Sequence, residues 1–305
     1  MAAMRTQDAH THFFSRPFFD ALAQASPRDG DRAALIEEVA GKAGLQLPDP
    51  DVTTHRDRWL AEMDADDVER MVTFASLPPE AAAVSEAAAG SNGRLIPYTL
   101  VNPVAENAVA FTEKALGSMG FRGLLTFPAM HHFSPSDEAM TPILELAAAH
   151  GAPVIVHCGI LSVKLRDLFG LPRPYDLSFA HPLDLVPAAN RFPGVTFVVP
   201  HFGGGFFSEA LMLGMQCENV CVDTSSGNGW TAAVPGSPSL AEVFRATLDV
   251  FGAERILFGT DSSTFPRGWR ADVRDTQLAA LEEAGANADQ VGQIMGGNLA
   301  RLLPA

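Results

Sequence analysis

Apolar runs rich in β-branched residues recur along almost the whole chain, and each reads as a strand. They fall at Met4–Ala9, Arg70–Ala75, Leu95–Leu100, Phe121–Thr126, Pro153–Val156, Val195–Val199, Val220–Val222 and Arg255–Gly259. Most are continuous rather than alternating in polarity, as parallel strands buried on both faces require. Helical patterns lie between them at Arg58–Asp67, Glu80–Ala89, Ala105–Leu116, Asp137–His150, Glu209–Gln216, Ser239–Phe251 and Asp272–Ala284. Eight strands alternating with helices over 305 residues predict an α/β fold, a single (β/α)8 TIM barrel spanning residues 1–305. Two smaller sheets fit less well, because no Pro/Ser-rich linker divides the chain and no fixed-period repeat runs through it.

Two stretches exceed a bare barrel. Phe13–His55 is too long for a simple connection after the first strand, and it holds a helix-like segment, Arg32–Ala43, followed by Pro48-Asp49-Pro50. Gly159–Pro193 follows the fifth strand and carries five prolines. Both insertions leave from strand C-termini, the face on which barrels build their sites. They read either as surface padding or as lids and walls of a substrate pocket.

Composition narrows the setting. Hydrophobic residues make up 47% and charged residues 19%, which excludes a disordered chain, a collagen-like repeat and a coiled coil. The net charge of −15 disfavours nucleic acid and anionic membranes as partners, while leaving room for an anionic small substrate in a locally positive pocket. Three cysteines, Cys158, Cys217 and Cys221, are too few for a disulfide framework, and the C-x3-C spacing is a poor zinc signature. Met1–Gln7 is too short for a signal peptide and no apolar run spans a bilayer, so the expectation is a soluble, cytoplasmic protein.

The histidines carry the chemistry. His10 and His12 close the first strand one residue apart, so an extended chain turns both imidazoles to one side. His157 ends the fifth strand, His201 the sixth and Asp261 the eighth. A single histidine at a strand end is usually a partner of backbone, and an Asp there is commonly a helix cap. Several such groups, all where apolar strands finish on one rim, read instead as ligands of a divalent cation with one further base. His131, His132, His150, His55 and His181 lack that setting.

The blocks Asp8-Ala9-His10-Thr11-His12-Phe13-Phe14, Glu62-Met63-Asp64, Gly120-Phe121-Arg122-Gly123, Val156-His157, His201 with Gly203-Gly204-Gly205, Phe258-Gly259-Thr260-Asp261 and Gly297-Asn298-Leu299-Ala300 come in a characteristic order. In this order the chain resembles the amidohydrolase superfamily, in the branch that contains aminocarboxymuconate-semialdehyde decarboxylase and related metal-dependent hydrolases. The resemblance implies that His10, His12, His157 and Asp261 bind one divalent ion. Zinc suits an imidazole-rich site, with manganese or iron as alternatives. Binuclear relatives offer a modified lysine or a glutamate at the fourth strand. Leu124-Leu125-Thr126-Phe127 supplies neither, which implies a mononuclear site.

His201 and Asp261 are the catalytic candidates, His201 as a base near neutral pH and Asp261 as a ligand that also shuttles a proton. The glycines after His201 fit either a sharp bend offering N–H donors to an oxyanion or close strand–helix packing. Two reactions use this equipment: hydrolysis of a cyclic or aromatic-derived lactone, amide or C–C bond, and non-oxidative decarboxylation of an aromatic or muconate-type acid. The related decarboxylases typically carry an arginine about a dozen residues beyond the glycine run. Here Ala210-Leu211-Met212-Leu213-Gly214-Met215 holds no basic residue, which favours hydrolysis. Arg58, Phe202, Arg267 and Trp269 are the candidate substrate contacts, in rim loops whose many aromatics pack either on a planar substrate or on one another. A non-catalytic ligand-binding barrel and a metal-free lactonase are the competing readings, and a homodimer is expected on general grounds.

Overall fold

The computed structural model describes residues 6–304. Eight strands follow in chain order: β1 (Thr6–His12), β2 (Val68–Ala75), β3 (Leu95–Leu100), β4 (Gly123–Thr126), β5 (Val154–Val156), β6 (Phe197–Val199), β7 (Val220–Asp223) and β8 (Ile256–Leu257). Each pairs in parallel with the next. Backbone bonds bring β8 against β1: Ala9 N–H donates to Phe258 O (2.8 Å), Asp261 N–H to His10 O (2.9 Å) and His12 N–H to Ser262 O (2.8 Å). This is the (β/α)8 TIM barrel the strand pattern predicts. Of the expected first strand, Met4 and Arg5 lie outside the described residues.

Side-chain alternation accounts for the unbroken apolar runs. Leu125, Ile155 and Val198 join Phe74, Tyr98, Leu100 and Leu257 in an inner cluster, completed by Leu299 and Leu303 from the C-terminal segment. Their neighbours Leu124, Val154, Val156, Phe197 and Val199 belong to a second layer between strands and helices. Successive residues face opposite sides, and both sides are apolar. Gly123 makes room for this filling, since a Cβ there would stand 2.2 Å from the Tyr98 ring.

The same alternation delivers the polar groups. His157 lies two residues beyond inward-facing Ile155, and Asp223 two beyond Cys221, which packs on the inner cluster. On β1, Asp8 pairs with Met71 and Thr11 with Thr73, so β1 carries one extra residue there. With that irregularity both His10 and His12 meet the inward ring of Phe74, at centroid distances of 4.7 and 5.2 Å.

The expected helices are present with shifted ends, and the prolines explain the rest. Glu80–Ala89 is a 3-10 turn, Pro78–Glu80, running into helix Ala81–Ala89, and Asp137–His150 likewise splits into Glu138–Met140 and Thr141–His150. Ser239 caps Leu240–Phe251 in a capping box with Glu242. Asp51 caps Val52–Ala65, so this helix begins well before Arg58 and takes in His55, which the sequence reading left in the preceding stretch. Further helices occur at Arg16–Ala25 and Val186–Arg191, both with proline in the first turn, where it is compatible with a helix.

The two long stretches pack on each other. Phe18, Phe19 and Leu22 of Arg16–Ala25, with Leu35, Ile36 and Val39 of Arg32–Ala43, enclose Phe169 and Leu171 from the segment after β5. Ser26 Oγ–H also donates to Phe169 O at 2.5 Å. A stack of rings, His12 on Phe14 (4.9 Å) and Phe14 on Phe18 (4.1 Å), links this cluster to the end of β1. Among the described residues no helix is long and apolar enough to cross a membrane.

Candidate metal centre

β1 and the segment after β8 bring three groups together. Asp261 Oδ1 lies 3.4 Å from His12 Nε2 and 3.8 Å from His10 Nε2, and the ligand atoms of this trio all fall within 4.8 Å of one another. Asp261 reaches them from a left-handed backbone (φ 60°), held by its N–H bond to His10 O. The far side of each imidazole is engaged: His10 Nδ1 is 2.8 Å from Asp223 Oδ2, and His12 Nδ1 is 2.7 Å from Ser76 Oγ. Such outer partners hold each ring so that its other nitrogen faces the shared point.

Electrostatics suit a cation. Burial pushes the Asp261 carboxyl up, but the bond to His12 and the charges of His10, His12 and His201 outweigh it, and the group stays ionised well below the usual carboxylate range. Burial holds His12 below the ordinary imidazole value. Burial acts the same way on His10, where Asp223, Asp261 and Asp8 reverse it and raise the ring. Two Nε2 atoms and a carboxylate oxygen are a donor set that fits zinc and its neighbours in the first transition row.

His157, the fourth expected ligand, stands one ring farther out. Its centroid is 5.3 Å from that of His201, which is 4.8 Å from that of His10. It lies outside the trio, yet its Nδ1 is buried and makes no hydrogen bond. Burial, with the charges of His201 and His10, takes this ring down to about 3, so it is a neutral donor with an unused nitrogen.

His201 sits in a left-handed turn directly after β6. His201 and Phe202 have φ of 57° and 53°, and Gly203, Gly204 and Gly205 continue at 91°, 55° and 104°. The glycines serve the close packing. Ile160 N–H donates to Gly204 O at 2.8 Å, and a Cβ on Gly159 would come within 2.3 Å of that oxygen. The Gly204 N–H is used within the turn, on His201 O, which removes it as an oxyanion donor. His201 Nδ1 lies 2.8 Å from Ser225 Oγ, and its backbone N–H donates to Asp223 Oδ1 at 3.0 Å.

Asp223 is the residue the sequence reading missed. It is fully buried at the end of β7 and serves both His10 and His201. Val220-Cys221-Val222-Asp223 carries the signal that marked the others, an apolar strand finishing in a polar group. Asp8 is likewise fully buried, accepting from His10 N–H (2.9 Å), Thr260 Oγ–H (2.5 Å) and Trp269 Nε1–H (2.8 Å). Burial outweighs those bonds and raises its carboxyl to about 6.

The candidate substrate contacts divide. Phe202 is fully buried among Phe207, Trp230 and Phe244 and is part of the core. Trp269 is buried too, its indole N–H committed to Asp8 and its face covered by Arg274. Arg58 lies over the Phe265 ring at 3.6 Å and donates to Gln46 Oε1. Arg267 differs: it is exposed, donates to Ser263 Oγ at 2.8 Å, and stands in the field of Asp261.

Comparison with known proteins shows the family. A family model for amidohydrolases matches residues 7–305. No curated protein matches the chain. Among solved structures it is similar to the 5-carboxyvanillate decarboxylase of Sphingomonas paucimobilis, at 17% identity and TM-score 0.66 over 98% of this chain and 99% of that one. It is similar to a probable 2-pyrone-4,6-dicarboxylic acid hydrolase of Acinetobacter baumannii, at 14% and 0.58 over 98% and 99%. A third similarity is to an amidohydrolase of Burkholderia multivorans with bound zinc, at 16% and 0.59 over 97% and 98%. With strand ends that gather imidazoles and a carboxylate on one rim, and a family match running from residue 7 to the end, the chain belongs to the amidohydrolase family of enzymes.

Proposed function

We propose that the protein is a metal-dependent hydrolase of a small, cyclic or aromatic-derived substrate: a lactone, an amide or an activated C–C bond. The observation that carries this reading is the meeting of His10 Nε2, His12 Nε2 and Asp261 Oδ1 beside the ring of His201. A divalent cation, zinc by preference, supplies Lewis-acid polarisation of a carbonyl and a lowered pKa for water at such a site. His10, His12 and Asp261 would hold it, and the buried, unbonded Nδ1 of His157, which lies outside that trio, would be the further donor the chain offers. His201, with Nδ1 engaged by Ser225, uses Nε2 to take a proton from water and return it to the leaving atom. Asp261, partly exposed, offers its second oxygen to the same proton.

Decarboxylation of an aromatic or muconate-type acid is the second reading, and Arg267 favours it: an exposed guanidinium near Asp261 is placed to hold a carboxylate. The deciding experiment loads the protein with zinc, manganese or iron and assays a panel of lactones, cyclic amides and aromatic acids. Ring opening without carbon dioxide supports the hydrolase, carbon dioxide release supports the second reading, and turnover undiminished by chelation overturns both.

A further inference from the structure

We infer that Asp223 is a positioning residue whose two carboxylate oxygens set the ring tautomers of two histidines at once, making His10 a donor through Nε2 and His201 a base through Nε2. The inference rests on the functional reading above for what the two rings do. It rests on hydrogen-bond chemistry alone for which nitrogen carries the proton.

Asp223 is fully buried and ringed by donors: the His201 N–H, the Ser225 N–H and the Ser225 hydroxyl meet Oδ1, and the His10 ring meets Oδ2. A carboxyl is a stronger acid than an imidazolium, so a proton shared between Asp223 and His10 lies on the ring. An ionised carboxylate only accepts. Oδ2, 2.8 Å from His10 Nδ1, therefore places the proton of a neutral His10 on Nδ1. That leaves the Nε2 lone pair on the side of Asp261. The opposite tautomer would set two lone pairs face to face in a buried site, where an unmatched polar contact is most costly.

The other oxygen acts through a relay. Oδ1 accepts the N–H of His201 and the N–H of Ser225, each at 3.0 Å, and the Ser225 hydroxyl as well. A serine hydroxyl has one proton, and here it goes to Asp223. Toward His201 Nδ1, 2.8 Å away, Ser225 Oγ can then only accept. The Ser225 carbonyl, 3.2 Å from the same nitrogen, is also purely an acceptor. Both neighbours require a proton on His201 Nδ1, so Nε2 is the basic nitrogen. The bond from Oδ1 to the His201 N–H also helps to hold the left-handed backbone that aims the ring.

The test reads tautomers directly. Histidine-selective 15N labelling of the metal-free protein, at a pH above the imidazole range, gives long-range proton–nitrogen correlations for each ring. Single His10→Asn and His201→Asn variants assign them. The wild type should show both rings protonated on Nδ1. Ser225→Ala should perturb His201 and leave His10 unchanged, whereas Asp223→Asn should perturb both and raise the zinc Kd, measured by chelator competition, by about 10–100-fold. A proton on Nε2 of either ring in the wild type overturns the inference, as do unchanged rings in Asp223→Asn. If Asp223→Asn fails to fold, the wild-type and Ser225→Ala spectra decide. The tautomers are read without metal or substrate, so a failed activity panel would sink the functional reading and leave this result standing.

Discussion

The rings of His157 and His201 stand edge to face with centroids 5.3 Å apart, but their nitrogens are in opposite states: His201 Nδ1 is bonded to Ser225, and His157 Nδ1 is buried and free. On the proposed function the free nitrogen is left for the metal and the tethered ring serves as the base. His157→Ala is expected to lose bound metal by elemental analysis. His201→Ala is expected to keep about one equivalent while turnover falls about 10²–10⁴-fold. Equal metal loss in both variants would contradict the division of roles.

Glu80 gives stability a pH dependence. It is fully buried, accepts from Ser15 N–H (2.5 Å), Ser15 Oγ–H (2.9 Å) and Ser76 N–H (2.8 Å), and burial raises its carboxyl from 4.5 to about 7. The folded state holds this proton more tightly than the unfolded state. The contribution is therefore complete below about 4.5 and lost as pH rises through about 7, on the order of 3 kcal/mol. Urea midpoints should fall across that window in the wild type and more shallowly in Glu80→Gln, and parallel pH profiles would refute the assignment.

Phe202 is buried and Arg267 exposed, and stability measurements tell the two apart. Phe202→Ala removes a fully buried ring and should cost about 3–5 kcal/mol in denaturant unfolding. Arg267→Ala should leave the unfolding midpoint nearly unchanged and raise KM for carboxylate-bearing substrates. A midpoint loss in Arg267→Ala as large as that in Phe202→Ala would place both side chains in the core.

Gly159 governs how closely the segments after β5 and β6 approach. It has φ 78°, and an added Cβ would meet Gly204 O at 2.3 Å and Gly203 O at 2.4 Å. Both contacts are backbone, so neither can swing aside. Gly159→Ala should lower the melting temperature and weaken metal retention together, because the two segments leave from His157 and His201. A variant with wild-type melting and metal content would show that the approach is not needed.

The barrel was legible because its physics is local. A parallel strand covered on both faces must be a short apolar run, and a connection must be polar or helical, so the order of elements is written along the chain. His10, His12 and Asp261 were legible for a related reason. Polar residues are costly inside such strands, and when several apolar runs end in imidazole or carboxylate those ends lie on one rim. Asp223 followed the same rule but lies 213 positions from the ring it orients, and only the closed circle of strands makes them neighbours. Tertiary structure also decided that His157 stands a ring apart, that Phe202 turns into the core while adjacent His201 faces the site, and that Trp269 spends its N–H on Asp8. Side-chain direction there depends on left-handed backbone and on packing against elements far away in sequence, and a linear pattern carries neither.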